Sequence, residues 1–347
     1  MADKSVLIIY TGGTIGMVND PETGALCPFN FEEIAKAVPE IKEFSFHIDS
    51  YTLPEIIDSS DLQPAVWAEL CKIIRDNYDK YCGFVILHGT DTMAYSASAL
   101  SFMLNNLDKA VVFTGSQLPI GTIRTDGREN LIAALEIAAA TMDGKAVVPE
   151  VCILFGAKLF RGNRTTKADA ESFNAFQSFN YPPLAEIGIH IDYNYSAIDY
   201  SPRTGQLQTY TGMDTNIAIL KLFPGIRIEL IDAITHIPGL KGLILETYGA
   251  GNAPTNEQFL TKIKEATDKG IVVYNVTQCE GGAVEMGRYE TSRKMINCGV
   301  ISGYDITTEA AVCKLMHLLD KYKDINDVKK YLNLPIKGEI TPKRICS

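Results

Sequence analysis

A chain of 347 residues with 46% hydrophobic and 21% charged residues has a globular composition and is long enough for two domains. The net charge of −10 argues against a general binder of nucleic-acid backbones, which needs a basic surface. No apolar run approaches the roughly 18 residues of a membrane helix, and the run after Lys4 is too short for a signal peptide. The sequence predicts a cytoplasmic protein that binds neither nucleic acid nor a membrane.

The eight cysteines and five histidines show no metal-ligand spacing, because the chain has no CxxC pair and no HExxH pattern. Widely spaced cysteines are typical of free thiols in a reducing compartment, although an even count also permits disulfides. We therefore expect no metal site.

Apolar runs of strand length alternate with segments of helical period. The predicted strands are 5–10, 44–49, 83–88, 110–115, 151–156, 216–222, 242–248 and 270–276, and helical periodicity marks 66–74, 131–137 and 259–266. Continuous apolar runs are typical of parallel strands that are buried on both faces. The pattern predicts an α/β protein with mostly parallel sheets in three layers.

The segment 192–214 is polar and rich in turn residues, and it shows no sustained period. It is predicted to be a linker between a larger N-terminal α/β domain, 1–191, and a smaller C-terminal α/β domain, 215–347.

Hydroxyl-bearing residues cluster in the turns that follow the predicted strands. They occupy 11–14, 88–92 and 114–117, and a further turn, "DSSD" at 58–61, precedes a predicted helix. Each turn alone also fits a helix cap or a tight turn. Ligands of open parallel sheets bind beyond the carboxyl ends of the strands, so together the turns predict a site at that edge.

The first turn, "TGGTIG" at 11–16, lacks the signatures of the commoner sites. It matches neither GxGxxG nor GxxxxGK[ST], which argues against a phosphate cradle. GxSxG is absent from the chain and histidine is scarce, which argues against a serine hydrolase. A threonine nucleophile without a histidine base remains.

Six motifs in chain order resemble those of the bacterial-type L-asparaginases, and within them the cytoplasmic type I branch. The motifs are "YTGGTIGM" (10–17), "DSSD" (58–61), "ILHGTDTMAYSASALSFML" (86–104), "TGSQLP" (114–119), "RGNRTTKADA" (161–170) and "YGAGNAPTN" (248–256). The resemblance implies two α/β domains, homodimers or homotetramers, and hydrolysis of L-asparagine to L-aspartate and ammonia without a cofactor.

The resemblance also implies roles for residues at matching positions. Thr14 resembles the family's nucleophile, which passes through an acyl-enzyme intermediate, and Thr90, Asp91 and Lys167 resemble its second triad. A threonine hydroxyl needs a proton acceptor or a favourable field to attack. Lys167 fits two roles: a neutral lysine acts as a base, whereas a charged one orients its neighbours.

The resemblance also implies which residues hold the α-carboxylate and α-amino groups of the substrate. These are Asp58, Ser59, Ser60, Thr90 and Asp91. Backbone N–H groups around Thr14 and Thr90 are candidate donors to the oxyanion, since Gly13 and Gly89 permit close approach to the main chain.

The segment after the first strand departs from the family, because many bacterial members carry a tyrosine there and 19–29 has none. Tyr289 is the predicted replacement that exchanges a proton with Thr14. A half-buried structural role for Tyr289 is the alternative, and Tyr10 and Tyr248 are rival phenols.

A second departure is Glu246, which stands where some cytoplasmic members use an arginine in an allosteric asparagine site, while Cys279 keeps its place. Two rival functions stay open. One is a glutaminase or related amidase, including the subunit that supplies ammonia for tRNA-dependent amidation. The other is a non-catalytic binding protein on the same fold, against which the intact Thr14, Thr90, Asp91 and Lys167 argue.

Overall fold

The computed structural model describes residues 4–19, 26–28, 36–287 and 290–341. Its backbone contacts divide the chain into two compact units, Met1–Thr211 and Gly212–Ser347. Each unit is described by itself, and the linker predicted at 192–214 stays a prediction.

The N-terminal unit is built on an eight-stranded sheet. Its strands are β1 (Ser5–Tyr10), β2 (His47–Thr52), β3 (Gly83–Leu87), β4 (Ala110–Thr114), β5 (Val151–Phe155), β6 (Lys158–Arg161), β9 (Ala185–Ile187) and β10 (Ile191–Tyr193). Between β6 and β9 the chain forms a separate hairpin of β7 (Thr166–Lys167) and β8 (Phe176–Gln177). The spatial order is β10-β9-β6-β5-β4-β3-β1-β2. Strands β1 to β5 pair in parallel, whereas β6, β9 and β10 continue the sheet in antiparallel fashion.

Three further short strand pairs belong to the N-terminal unit. They are Met17–Asn19 with Leu26–Pro28, Leu104–Asn105 with Gln208–Thr209, and Thr141–Met142 with Lys145–Ala146.

Among the described residues of the N-terminal unit, the longer helices are α1 (Pro64–Asp76), α2 (Met93–Met103) and α3 (Gly127–Ala139). Alternate residues of β1 face opposite sides of the sheet, and Ile8 and Ile9 are both fully buried. Ile8 shares a core cluster with Leu131 and Leu135 of α3. Burial of both faces explains the continuous apolar runs and gives the predicted three-layer arrangement.

The second strand begins three residues later than predicted from the sequence. Ser5 pairs with His47, so the ladder with β1 runs from His47 to Thr52 rather than over 44–49. Phe44 and Phe46 precede the strand and stack on each other with ring centroids 4.7 Å apart. Their aromatic character mimicked a strand, but the pairing register excludes them.

The C-terminal unit contains a four-stranded parallel sheet in sequential order: β11 (Ile217–Lys221), β12 (Gly242–Thr247), β13 (Val272–Thr277) and β14 (Ile301–Ser302). Its helices are α4 (Ile228–Thr235), α5 (Glu257–Asp268), α6 (Glu290–Asn297), α7 (Thr308–Lys321) and α8 (Ile325–Leu332). The Asn256 side chain caps α5 by accepting a hydrogen bond from the Phe259 N–H at 2.8 Å. The predicted fold class, two α/β domains with a larger and a smaller sheet, is confirmed.

A fully buried ion pair stabilises the end of the C-terminal unit. Lys314 on α7 lies 2.6 Å from the carboxylate of Glu339, and both side chains are completely shielded from solvent. Lys314 also donates to the Leu332 and Leu334 carbonyl groups at 2.9 and 2.7 Å. Buried charges require this degree of pairing, so the pair holds the chain after α8 against α7.

No helix in the described part of the chain is long and apolar enough to span a membrane.

Candidate active site

Two glycines next to Thr14, in the turn after β1, pack closely against other turns at the same edge of the sheet. Gly12 and Gly13 have φ angles of 130° and 89°, which favour glycine. A β-carbon at position 12 would lie 2.2 Å from the carbonyl oxygen of Ile57, and one at position 13 would lie 2.4 Å from the amide nitrogen of Gly89. The turn after β1 therefore packs directly on the turn after β3 and on the chain leading to Ser59.

The same edge of the sheet holds Thr14 in a single turn of 3₁₀ helix, Thr14–Gly16. The Tyr10 hydroxyl donates to the Gly16 carbonyl at 2.9 Å, and burial raises the pKa of Tyr10 to about 12. Tyr10 is thus a neutral phenol whose hydroxyl holds the end of the turn in place. The Thr14 side chain is half-buried, and its hydroxyl has no hydrogen-bond partner among the described residues.

Lys167 reaches the turn after β3 from a different part of the sequence. It lies on β7, opposite Phe176 of β8. Its ammonium group donates to Thr90 Oγ1 at 2.8 Å and to Asp91 Oδ1 at 2.7 Å. The Lys167 side chain is 18% exposed and that of Asp91 is 62% exposed. The predicted triad is therefore assembled, with the lysine sheltered and the carboxylate open to solvent.

The "DSSD" turn adjoins the same glycines. The Asp58 carboxylate accepts hydrogen bonds from the Ser60 N–H and the Ser60 hydroxyl, both at 2.9 Å, and these bonds lower the pKa of Asp58. Ser59 is buried, and its carbonyl accepts from the Thr92 hydroxyl at 2.7 Å. A β-carbon on Gly89 would lie 2.4 Å from Ser59 Oγ. Ser59 and Thr90 thus flank one glycine.

Both parts of the chain match models of a single family. Residues 5–199 match the model described as Asparaginase, N-terminal, and residues 216–332 match the Glutaminase/Asparaginase C-terminal domain. The chain belongs to the asparaginase family. The resemblance inferred from the six motifs is confirmed.

Similar proteins cover the whole chain. L-asparaginase 1 of Escherichia coli K12 is 43% identical over 99% of both chains. The human 60 kDa lysophospholipase is 41% identical over 98% of this chain, which spans 62% of that protein. L-asparaginase I of Vibrio cholerae has a crystal structure that matches with a TM-score of 0.88 at 40% identity, covering 98% of this chain and 100% of the other.

Sequence reasoning missed one residue that supports this asparaginase-family site. Gln117, in the turn after β4, donates from Nε2 to the carbonyl groups of Ala170 and Ser172 at 3.2 and 3.0 Å. Its own N–H is bound by both carboxylate oxygens of Asp126 at 3.0 Å. Gln117 therefore ties the loop after Lys167 to the sheet edge. The amide side chain of Gln117 in the "TGSQLP" motif could have indicated a polar contact, but nothing in the sequence indicates which carbonyl groups it binds.

Two residues singled out in the sequence, Tyr289 and Glu246, are not part of the cluster around Lys167 as the structure describes it. Tyr289, together with most of the segment 19–29, lies outside the described residues. Glu246, at the end of β12, accepts a hydrogen bond from the Thr308 hydroxyl at 2.9 Å and lies 3.7 Å from the ammonium group of Lys221. Its side chain is only 13% exposed. The glutamate is thus engaged within the C-terminal unit of this family member.

Among residues 4–19, 26–28, 36–287 and 290–341, no cluster of three histidine, cysteine or acidic side chains is arranged to hold a metal ion.

Proposed function

We propose that this protein hydrolyses L-asparagine to L-aspartate and ammonia, with Thr14 as the nucleophile. The observation that carries the proposal is the Lys167 ammonium group, which bridges Thr90 and Asp91 beside the Thr14 turn. Similarity to L-asparaginase 1 of Escherichia coli over 99% of both chains supports the choice of substrate.

The proposed first step transfers the acyl group to the enzyme. Thr14 Oγ1 attacks the side-chain amide carbon, its proton passes to the leaving nitrogen, and ammonia departs as the C–N bond breaks. A β-aspartyl ester of Thr14 remains. A free threonine hydroxyl is a weak nucleophile, so a nearby group must relay its proton, and Tyr289 is the residue that we propose for this role.

The proposed second step returns the enzyme to its starting state. Water attacks the ester carbon, its proton returns to Thr14 Oγ1, and L-aspartate is released. Thr90 is proposed to orient this water, because Lys167 donates to the Thr90 oxygen and leaves the Thr90 hydroxyl proton free for another acceptor. The backbone N–H groups of Thr14 and Thr90 are proposed to stabilise the negative oxygen in both steps.

Substrate recognition is proposed to use the two polar turns beside Gly89. The exposed Asp91 carboxylate suits the α-ammonium group of asparagine. Ser59 is proposed to bind the α-carboxylate, with Asp58 and Ser60 shaping that turn through their mutual hydrogen bonds. We further propose that the protein is cytoplasmic and works as a homodimer or homotetramer, as the resemblance to type I enzymes implies.

Ammonia release from L-asparagine and from L-glutamine tests the proposed substrate. We expect kcat/KM for asparagine to exceed that for glutamine by about a hundredfold or more, because misplacing the reacting carbonyl costs about that factor. Equal values would favour the glutaminase alternative. No ammonia from either amide in the folded protein would favour the binding-protein alternative.

Partitioning with hydroxylamine tests the proposed ester intermediate. Asparagine and the β-methyl ester of aspartate should form the same β-aspartyl enzyme. The ratio of hydroxamate to aspartate should then be identical for both acyl donors at one hydroxylamine concentration. Ratios that differ between the donors would contradict a common intermediate.

A further inference from the structure

A buried chain of hydrogen bonds leads from α1 to the turn that carries Thr90. The Trp67 indole N–H donates to Ser96 Oγ at 2.9 Å, and Ser96 Oγ lies 2.8 Å from His88 Nε2. The other ring nitrogen, His88 Nδ1, lies 2.7 Å from the Gly89 carbonyl oxygen. His88 is 1% exposed and Ser96 is fully buried, so water does not compete for these contacts.

The chemistry at both ends of the chain determines where the protons lie. A carbonyl oxygen only accepts, so His88 Nδ1 carries a hydrogen and donates it to Gly89. Burial lowers the pKa of His88 to about 4, so the neutral ring has an unprotonated Nε2 that accepts from Ser96. An indole N–H only donates, so Ser96 accepts from Trp67 while donating to His88. Each donor in this series of hydrogen bonds, from Trp67 through Ser96 to His88, therefore points towards the Gly89 carbonyl.

The Gly89 carbonyl belongs to the same planar unit as the Thr90 N–H. In a trans peptide the N–H is antiparallel to the C=O. A carbonyl held by the buried His88 ring therefore directs the Thr90 N–H away from that ring. This N–H has no acceptor among the described residues. A hydrogen bond to the carbonyl also polarises the peptide and strengthens its N–H as a donor.

The Gly89 residue is closely packed. The Gly89 backbone contacts Gly13 on one side and Ser59 on the other, where no side chain larger than hydrogen fits. We propose that His88 is a positioning residue: its Nδ1–H, with its tautomer set by Ser96 and Trp67, fixes the Gly89–Thr90 peptide so that the Thr90 N–H stabilises the oxyanion. This inference rests on the proposed function.

Two amide substitutions separate the two ring nitrogens. In His88→Asn the amide can donate at the position of Nδ1, whereas in His88→Gln it reaches the position of Nε2 and Ser96. Loss of an oxyanion donor costs about a hundred- to a thousandfold in kcat. We therefore expect His88→Gln to lower kcat by about a hundredfold and His88→Asn by less than about tenfold, with KM for asparagine within about threefold of wild type in both.

Ser96→Ala keeps the histidine and removes the hydroxyl that lies 2.8 Å from its Nε2. We expect a loss in kcat smaller than that of His88→Gln. The tautomer itself is measurable in protein labelled with ¹⁵N-histidine. The His88 signal, assigned by its absence in His88→Asn, should show a protonated Nδ1 and an unprotonated Nε2.

A general packing role for His88 predicts another result. The two amide variants would then lose kcat equally, or in proportion to their loss of thermal stability, and either result would overturn the inference. A protonated Nε2 in the wild-type spectrum would overturn it as well. The proposed function is tested separately by Thr14→Val: if that variant is inactive while both His88 variants keep wild-type kcat, only the positioning role fails.

Discussion

The parallel strands of the large sheet and those of the small sheet both end in turns with polar side chains, but the hydrogen bonds of these side chains differ. At the carboxyl edge of the small sheet, Thr277 donates to the Gly249 carbonyl at 2.6 Å, and Gln278 donates to the Leu222 and Glu246 carbonyl groups at 2.6 and 2.9 Å. These contacts satisfy the turns and connect them to one another. The side-chain donors of Thr277 and Gln278 thus bind backbone carbonyl groups of neighbouring turns and strands.

At the carboxyl edge of the large sheet, polar groups are held in place but retain unused hydrogen-bonding capacity. Lys167 fixes Thr90 and Asp91, yet the Asp91 carboxylate is 62% exposed. The Thr14 hydroxyl has no partner in the described part of the chain. The carboxyl edge of the small sheet is therefore a closed network of turn contacts, whereas the edge of the large sheet leaves a carboxylate open to solvent.

Replacing the proposed nucleophile should give the largest effect. We expect Thr14→Val to lower kcat by more than about a thousandfold, since the variant lacks the hydroxyl on which the proposed ester forms. Ammonia release measures the rate. The matched control is Thr247→Val in the small sheet, which removes a buried hydrogen bond to Asn275 and should leave kcat within about twofold while lowering stability by about 1–3 kcal/mol. Substantial turnover by Thr14→Val would remove Thr14 from its role.

The Lys167 cluster should give the next largest effect. Thr90→Val and Lys167→Met should each lower kcat by about a hundred- to ten-thousandfold, and the double variant should lose little more than either single one. Lys221→Met is the control, because Lys221 lies at the end of β11 and its side chain is 66% exposed. Losses that multiply in the double variant would show that Thr90 and Lys167 act independently.

Tyr289→Phe tests the proposed proton relay to Thr14. One phenolic hydroxyl in proton transfer is worth about a hundredfold or more in rate but only about 1 kcal/mol in folding. We expect kcat to fall by about that factor with little change in thermal unfolding. Tyr10→Phe serves as the comparison, since the Tyr10 hydroxyl is engaged with Gly16. Near-normal kcat in Tyr289→Phe would leave water or Lys167 as the proton carrier.

Two lysine–carboxylate pairs, Lys314–Glu339 and Lys167–Asp91, should differ in what they contribute to stability. Lys314→Met leaves Glu339 charged and fully buried, so the free energy of unfolding should fall by about 3–5 kcal/mol. Lys167→Met breaks a pair whose carboxylate is exposed, so its cost should be below about 1 kcal/mol. Urea unfolding monitored by circular dichroism measures both. Equal costs would contradict the division into a structural pair and a functional one.

Acid should weaken both units through buried histidines. Burial lowers the pKa of His88 to about 4 and that of His317 to about 3. An unfolded histidine titrates near about 6.5, so below that pH the unfolded chain binds more protons. The stabilisation is complete above about pH 6.5. As the pH falls towards the folded pKa, each histidine should lower the free energy of unfolding by about 1 kcal/mol per pH unit.

Unfolding at several pH values can assign these slopes. Trp67 is the only tryptophan, so its fluorescence reports on the N-terminal unit, while circular dichroism reports on both units. His317→Leu should flatten the pH dependence of the circular-dichroism transition and leave that of the Trp67 signal unchanged. An unaltered pH dependence in His317→Leu would show that this histidine is not the titrating group.

Elements with a strong local pattern were predictable from the sequence. Strands β1, β3, β4 and β5 are continuous apolar runs because both of their faces are buried, and α3 shows a clear helical period. Helix α2 was missed because ten of its eleven residues are buried, which removes the polar face that marks a period. The short antiparallel strands β6 and β9 were missed because pairing beyond β5, rather than composition, makes them strands.

The sequence by itself determined which residues could react and the family to which they belong, since the turn motifs place hydroxyls directly after apolar strands. Only the tertiary structure decided which of them meet. Lys167 is 77 residues from Thr90 and reaches it through the β7–β8 hairpin. The His88 ring, in the turn after β3, contacts Ser96 on α2, and Ser96 in turn accepts a hydrogen bond from Trp67 on α1. Local patterns report burial, whereas contacts between distant segments follow from how the strands and helices pack.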